Sequence, residues 1–208
     1  MTPPHAEDPT GWFEALYAAA ERGEAVVPWD RQAPQQLLVD WAAERGLDGA
    51  GRKAVVVGAG YGRDAEFIAR FGYRTVAFDV SPTAIQAALR RFPGSPVRYV
   101  IADVLDPPAE WRGEFDLVVE SITVQSLSPA MHREAIAHIG RLVAPNGTLI
   151  VIAAARDDGE PVEGPPWPLT RAEVEAFADG DLRGVRIEQF SDAAEPAVRR
   201  WRAEFERP

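Results

Sequence analysis

This 208-residue sequence predicts a doubly wound α/β domain on a mostly parallel sheet, on three observations. From residue 53 onward, short apolar runs alternate with stretches of helical spacing. The first of these runs ends in a glycine-rich turn, Gly58-Ala59-Gly60-Tyr61-Gly62. The next three runs lead to carboxylates, Asp79, Asp103 and Glu120. Alternation of this kind puts helices on both faces of a parallel sheet, through right-handed crossovers.

Residues 1–10 read as a loose, proline-rich leader. Trp12, Phe13, Leu16 and Tyr17 recur at helical spacing up to Gly23, which predicts a short amphipathic helix. Pro28-Trp29-Asp30 turns the chain into a second helix, where Leu37, Leu38, Trp41 and Ala42 share a face and Gly46 is the terminator. The core begins at Ala54–Val57, a run too short for a helix. Arg63–Phe71 has helical spacing, and Thr75–Phe78 is the next strand. Ser81-Pro82 opens a helix, with serine as N-cap and proline at the first position, where its missing N–H costs nothing. Val97–Ile101 and Phe115–Val119 are the third and fourth strands. Ser128-Pro129 repeats the cap signal, and Pro145-Asn146-Gly147 turns the chain into a fifth strand, Thr148–Ala153. Thr170 and Glu173 form a capping-box pair. Val185–Phe190 and Val198–Phe205 close the chain as a strand pair. In the last of these Trp201, Ala203 and Phe205 alternate with charged residues, as in a half-buried strand. One domain spans 1–208, with a helical element at 11–50 ahead of the core at 53–208.

Composition excludes several classes. The net charge of -10 repels phosphate backbones, so nucleic acid is not an expected partner. Arg199, Arg200 and Arg202 sit among Glu195, Glu204 and Glu206 and read as a solvated mixed-charge strand. No apolar run approaches the ~20 residues that span a bilayer. The N-terminus lacks the basic and apolar regions of a signal peptide, so a cytoplasmic location is expected by default. The chain has no cysteine, which rules out a disulfide framework and a thiolate zinc site.

Glycine at a strand-to-helix turn tolerates positive φ and lets a ligand touch the backbone. The spacing departs from the dinucleotide fingerprint, whose third glycine would fall where Arg63 stands. Asp79, at the carboxyl end of the second strand, can accept both hydroxyls of a ribose. Asp103 can accept from an adenine amine. All of these lie on the carboxyl edge of one sheet, where open α/β sheets bind ligands.

The order of GxGxG, Asp79, Asp103, Glu120 and Pro145-Asn146-Gly147 resembles the class I S-adenosylmethionine (SAM)-dependent methyltransferases, from residue 53 to the end. The resemblance implies a Rossmann-like sheet of seven strands with a final antiparallel strand, and SAM laid across the strand edges. Its expected contacts are Gly58, Ala59, Gly60, Asp79, Val80, Asp103, Val104, Glu120 and Ser121. Trp12, Pro28-Trp29-Asp30, Gly60-Tyr61-Gly62-Arg63-Asp64-Ala65, Asp79-Val80-Ser81-Pro82-Thr83-Ala84-Ile85 and Gly164-Pro165-Pro166-Trp167 look like the thiol, thiocyanate and thiopurine methyltransferase group. That narrower resemblance implies N-terminal helices acting as a lid, with Trp12 and Trp29 closing over SAM. On a second reading the two tryptophans only pack helices onto the sheet. Glu120-Ser121-Ile122-Thr123-Val124-Gln125 departs from the group, which usually carries an Asp with aromatic residues there.

The implied reaction is in-line displacement on the SAM methyl by a small-molecule acceptor, with a sulfur nucleophile first and an oxygen or nitrogen nucleophile as the alternative. Glu120 is the candidate weak base or clamp on the SAM amino group. His132 is the second catalytic candidate if it faces the same cavity, against a capping or surface role. His132 and His138 lie six apart, not at the i, i+4 spacing of a metal pair, and no metal is expected. A nucleotide-linked oxidoreductase and a SAM-binding protein without turnover remain alternatives. Oligomeric state has no signature.

Overall fold

The computed structural model describes residues 10–191 and 198–208. The expectations for the leader at 1–9, including His5, fall outside them.

Two helices come first, α1 (Gly11–Glu21) and α2 (Gln36–Arg45), the latter closed by Gly46 in a left-handed conformation. The core then alternates β1 (Lys53–Val57), α3 (Arg63–Ala69), β2 (Arg74–Asp79), α4 (Pro82–Arg91), β3 (Arg98–Ile101), β4 (Phe115–Ser121), α5 (Pro129–Leu142) and β5 (Val143–Ala154). A short α6 (Arg171–Glu175), β6 (Arg183–Ser191) and β7 (Arg199–Glu206) complete it. The seven strands form one sheet in the order β3-β2-β1-β4-β5-β7-β6. Strands β1 to β5 pair in parallel, and β7 runs antiparallel to both neighbours.

Both faces of the central strands are buried, which is why these strands read as unbroken apolar runs rather than as alternation. Val55, Val57, Val118, Leu149 and Val151 point into one core with Phe78, Ile136 and Ile139. Ala54, Val56, Leu117, Val119, Ile150 and Ile152 point into the other, with Leu38, Trp41 and Ile68. Each valine, leucine, isoleucine or phenylalanine among them contributes about 1.5–3 kcal/mol on burial.

Local signals were met unevenly. Ser81 caps α4, accepting from the Ala84 N–H at 3.0 Å, and Thr170 with Glu173 forms the capping box. Ser128 precedes α5, yet its side chain makes no cap hydrogen bond. Pro145-Asn146-Gly147 does not separate α5 from a strand. β5 starts directly after the helix, and residues 144–147 bulge between the pairs Phe115↔Val143 and Leu117↔Thr148. Two hydrogen bonds to Arg207 hold that bulge: the Asn146 N–H donates to the Arg207 carbonyl and Gly147 accepts from the Arg207 N–H.

The expectation for β7 is corrected. It is not half-buried, because it is inserted between β5 and β6 and α2 covers its second face. Glu204 accepts from Trp41 Nε1 at 3.1 Å and pairs with Arg45, while Arg202 bridges Glu44 and Glu188. Arg202 is only 4% exposed, so the basic cluster is not a solvated face. The two N-terminal helices also part company: α2 is a sheet-packing helix, and α1 alone lies toward the carboxyl edge, against α4. Among the described residues no helix is long and apolar enough to cross a membrane.

Candidate functional site

The carboxyl ends of β1, β2 and β4 converge under α1 and the 27–31 turn, and two neighbouring cavities open there. Trp29, Gly58, Ser121 and Ile122 line both and form the wall between them.

The first cavity is mainly apolar. Phe13 and Tyr17, one turn apart on α1, face Phe78, Val80, Val104 and Leu127, with Asp79 and Asp103 as its carboxylates. Tyr17 and Trp29 are locked together, the indole Nε1–H donating to the Tyr17 hydroxyl at 2.7 Å. α1 is anchored at its other side by Glu14, which accepts from Ser81 Oγ, Thr83 Oγ1 and the Thr83 N–H. Burial alone would raise the Glu14 pKa, but these three donors hold it below the usual value.

The glycine turn fits tightly beneath. Gly58 has φ +57°, and a Cβ there would stand 2.3 Å from Thr123 Oγ1. Gly60 has φ +50°, and its Cβ would meet the Tyr17 hydroxyl at 2.9 Å. Asp79 fastens this turn to α4, accepting from the Gly60 N–H at 2.8 Å and the Ser81 N–H at 2.9 Å. Burial pushes its pKa up to about 6, with a further push from Glu14 and an opposing pull from those amides. Asp103 follows β3 by two residues and accepts from the Leu105 N–H at 2.8 Å.

The second cavity is more polar. Its wall holds Arg31, Gln35, Arg63 and Asp64 beside Ala59 and Gly60. Asp64 accepts from the Gln35 N–H at 2.8 Å and from the Ser121 hydroxyl, and burial raises its pKa. Gln35 Nε2 and Arg63 Nε are buried donors without a hydrogen-bond partner. Buried donors of this kind leave a desolvation cost that a bound acceptor removes.

Of the residues named from the sequence, Trp29, Gly58, Ala59, Gly60, Asp79, Val80, Asp103, Val104 and Ser121 line one or both cavities. Trp12, Glu120 and His132 line neither. Trp12 stacks on Phe13 and meets Trp29 edge-on, backing the wall rather than forming it. Glu120 is 0% exposed and turns back beneath the loop, its Oε1 accepting from the Thr123 and Val124 N–H groups at 2.8 and 2.9 Å. His132 is buried in a tie between α5 and α6. Its Nδ1 lies 2.7 Å from Glu173, and its Nε2 lies 3.0 Å from the Leu127 carbonyl. Burial would raise the Glu173 pKa, yet His132 and Thr170 hold it at about 2. Trp167 of Gly164-Pro165-Pro166-Trp167 donates its N–H to the Gln125 carbonyl at 2.6 Å and lines neither cavity. Among the described residues no cluster of three His, Asp or Glu side chains is placed to hold a metal ion.

Sequence reasoning missed Phe13, Tyr17, Gln35, Arg63, Asp64 and Ile122 as wall residues. For Asp64 a signal was present, an acid in the first turn after the glycine loop. Ile122 carried none, because isoleucine does not mark a positive φ.

Three comparisons bear on identity. A model of the methyltransferase domain matches residues 55–151. An uncharacterized methyltransferase of Mycobacterium tuberculosis is 29% identical over 125 residues, 60% of this chain and 60% of the relative's own length. Thiocyanate methyltransferase 1 of Brassica oleracea is 26% identical over 169 residues, covering 80% of this chain and 73% of that one. Among solved structures, the N-methyltransferase NodS from Bradyrhizobium japonicum WM9, in complex with S-adenosylhomocysteine (SAH), superposes with a TM-score of 0.69. That match has 23% identity and covers 93% of this chain and 98% of the other. Strand order, motif order and domain match agree: the chain has the Rossmann-like methyltransferase fold, and residues 55–151 match a methyltransferase domain.

Proposed function

We propose that the chain transfers a methyl group from SAM to a small-molecule acceptor, and that the acceptor is a sulfur nucleophile. The observation that carries this reading is the pair of cavities meeting at Trp29, Gly58, Ser121 and Ile122. SAM has an adenosine half with a flat aromatic base and a zwitterionic amino-acid half, which suit the mainly apolar first cavity with its two carboxylates and the more polar second one respectively. Asp79 and Asp103 would hold ribose and adenine, with Val80 and Val104 against the base. Gln35 Nε2 and Arg63 Nε, which lack hydrogen-bond partners although Arg63 Nε lies 3.9 Å from Asp30 Oδ1, would take the carboxylate of the amino-acid end. Ala59 and Gly60 offer backbone at that same wall.

When bound, SAM supplies a methyl already activated on a sulfonium. The acceptor's lone pair forms the new bond to carbon as the carbon–sulfur bond breaks, and SAH leaves. The chain's own work is alignment and exclusion of water, which supplies ~7–11 kcal/mol in favourable cases. Trp29, in the shared wall, would attract a sulfonium by cation–π interaction, worth ~0.5–2 kcal/mol.

A sulfur acceptor is favoured because the acids of the walls are already engaged. Asp79 binds two backbone amides, Asp103 binds Leu105, and Asp64 binds Gln35 and Ser121. A thiol with pKa ~8.5 is partly ionised at neutral pH and needs no strong base. The likeness to the Brassica thiocyanate enzyme points the same way. One observation favours an oxygen or nitrogen acceptor instead: burial raises Asp64, leaving a carboxylate better able to accept a proton within the polar cavity.

Calorimetric titration with SAM, SAH and NADH tests the cofactor half. Micromolar binding of the first two is expected, and binding of NADH alone overturns the reading. Turnover of thiols or thiocyanate above phenols and amines in an acceptor panel is the expected second result. The reverse ranking replaces the sulfur assignment.

A further inference from the structure

Between β4 and the short 3-10 turn Val124–Ser126 the backbone does something costly. Ile122 adopts φ +59°, a left-handed conformation that β-branched residues rarely take. It lies in the wall common to both cavities, so its placement shapes each of them. A conformation of this kind persists only where the surroundings over-determine it. The Ile122 N–H donates to the Ile152 carbonyl at 2.8 Å, and its own carbonyl accepts from Ser126 Oγ at 2.8 Å. Thr123 Oγ1 donates to the Val57 carbonyl at 3.0 Å, at the floor of the glycine turn. The two amides that follow Ile122 both donate to one atom, Glu120 Oε1.

We infer that Glu120 is a positioning residue, which clamps the Thr123 and Val124 amides and thereby holds Ile122 in the left-handed turn that separates the two cavities. The inference rests on the cofactor reading above. Glu120 touches no ligand in this scheme, because it is sealed from both cavities. It acts through the backbone, and no water can stand in for it at Val124, which is also fully buried. Glutamine presents the same oxygen at the same reach, whereas alanine leaves the Val124 amide buried and unpaired. Glycine at 122 would remove the strain that the clamp opposes.

The test compares SAH affinity by calorimetry with thermal unfolding for four variants. Glu120→Gln should bind SAH within threefold of the parent, and Glu120→Ala should weaken it tenfold or more. Adding Ile122→Gly to Glu120→Ala should recover at least threefold of that loss. Val119→Ala, in the core on the opposite face, should lower the unfolding temperature while leaving SAH affinity within threefold. If Glu120→Ala does not fold, Glu120→Asp takes its place, being one methylene too short to reach both amides. Affinity that follows unfolding temperature across all variants, or a Gln variant as weak as Ala, overturns the assignment. Parent binding with an unaffected Glu120→Ala overturns this assignment alone. A parent protein that does not bind SAH overturns the cofactor reading and this assignment together.

Discussion

β2 and β4 flank β1 on opposite sides, and each ends in a buried carboxylate, but the two are used differently. Asp79 is 6% exposed and lines the apolar cavity, each of its oxygens holding one amide from a different element. Glu120 is 0% exposed, loads both amides onto Oε1, and leaves Oε2 buried without a partner. Burial pushes the first to about 6 and the second to about 7. The longer side chain folds back under its own loop, while the shorter one stays at the strand edge. An acid at a strand end therefore lines a cavity or is sealed beneath it according to reach and depth. Residue type alone does not separate the two.

The comparison breaks most readily at Asp79. If Asp79 holds the ribose as proposed, Asp79→Ala should lower SAH affinity close to a thousandfold, about 4 kcal/mol, by calorimetry. A loss below tenfold would place the ribose elsewhere.

Next in size is the dependence of stability on pH. Both carboxyls have folded pKa values above their unfolded values of 3.8 and 4.5. Their contribution to stability is therefore complete below about pH 4 and is lost as pH rises through 6 to 7. The parent should melt at lower temperature at pH 8 than at pH 5. Glu120→Gln should remove its share of that slope, on the order of 3 kcal/mol. An unchanged slope in the Gln variant would mean that Glu120 is not the group responsible.

His132→Ala should cost about 2 kcal/mol of stability through the lost contacts to Glu173 and Leu127, with SAH affinity kept within threefold. A variant as stable as the parent but inactive would return His132 to catalysis. The smallest expected effect is at the shared wall. Trp29→Leu should weaken SAM about fivefold more than SAH, about 1 kcal/mol, because only SAM carries the sulfonium. Equal losses for the two ligands would reduce Trp29 to packing.

Much of the core was legible before any coordinates. Val55-Val56-Val57 could only be a strand buried on both faces, and Gly58 and Gly60 announced a turn with positive φ. Ser81-Pro82 and Thr170-x-x-Glu173 fixed two helix starts through local hydrogen bonds. The failures share a cause, which is that the deciding partner is far away in the chain. β7 read as half-buried because its second face is covered by α2, some 160 residues earlier, through Trp41 and Glu204. Trp12 and Phe13 are neighbours of like character, and only the packing of α1 on α4 turns Phe13 into the cavity wall and Trp12 behind it.

By itself, then, the sequence determined the alternation of elements, the glycine turn and the row of strand-end acids, since periodicity, caps and turn chemistry act over a few residues. The tertiary structure alone decided the insertion of β7 between β5 and β6 and the left-handed turn at Ile122. It also decided which acid reaches the cavity and which is sealed beneath it. Those outcomes depend on contacts across the sheet, where burial and partner geometry outweigh local preference.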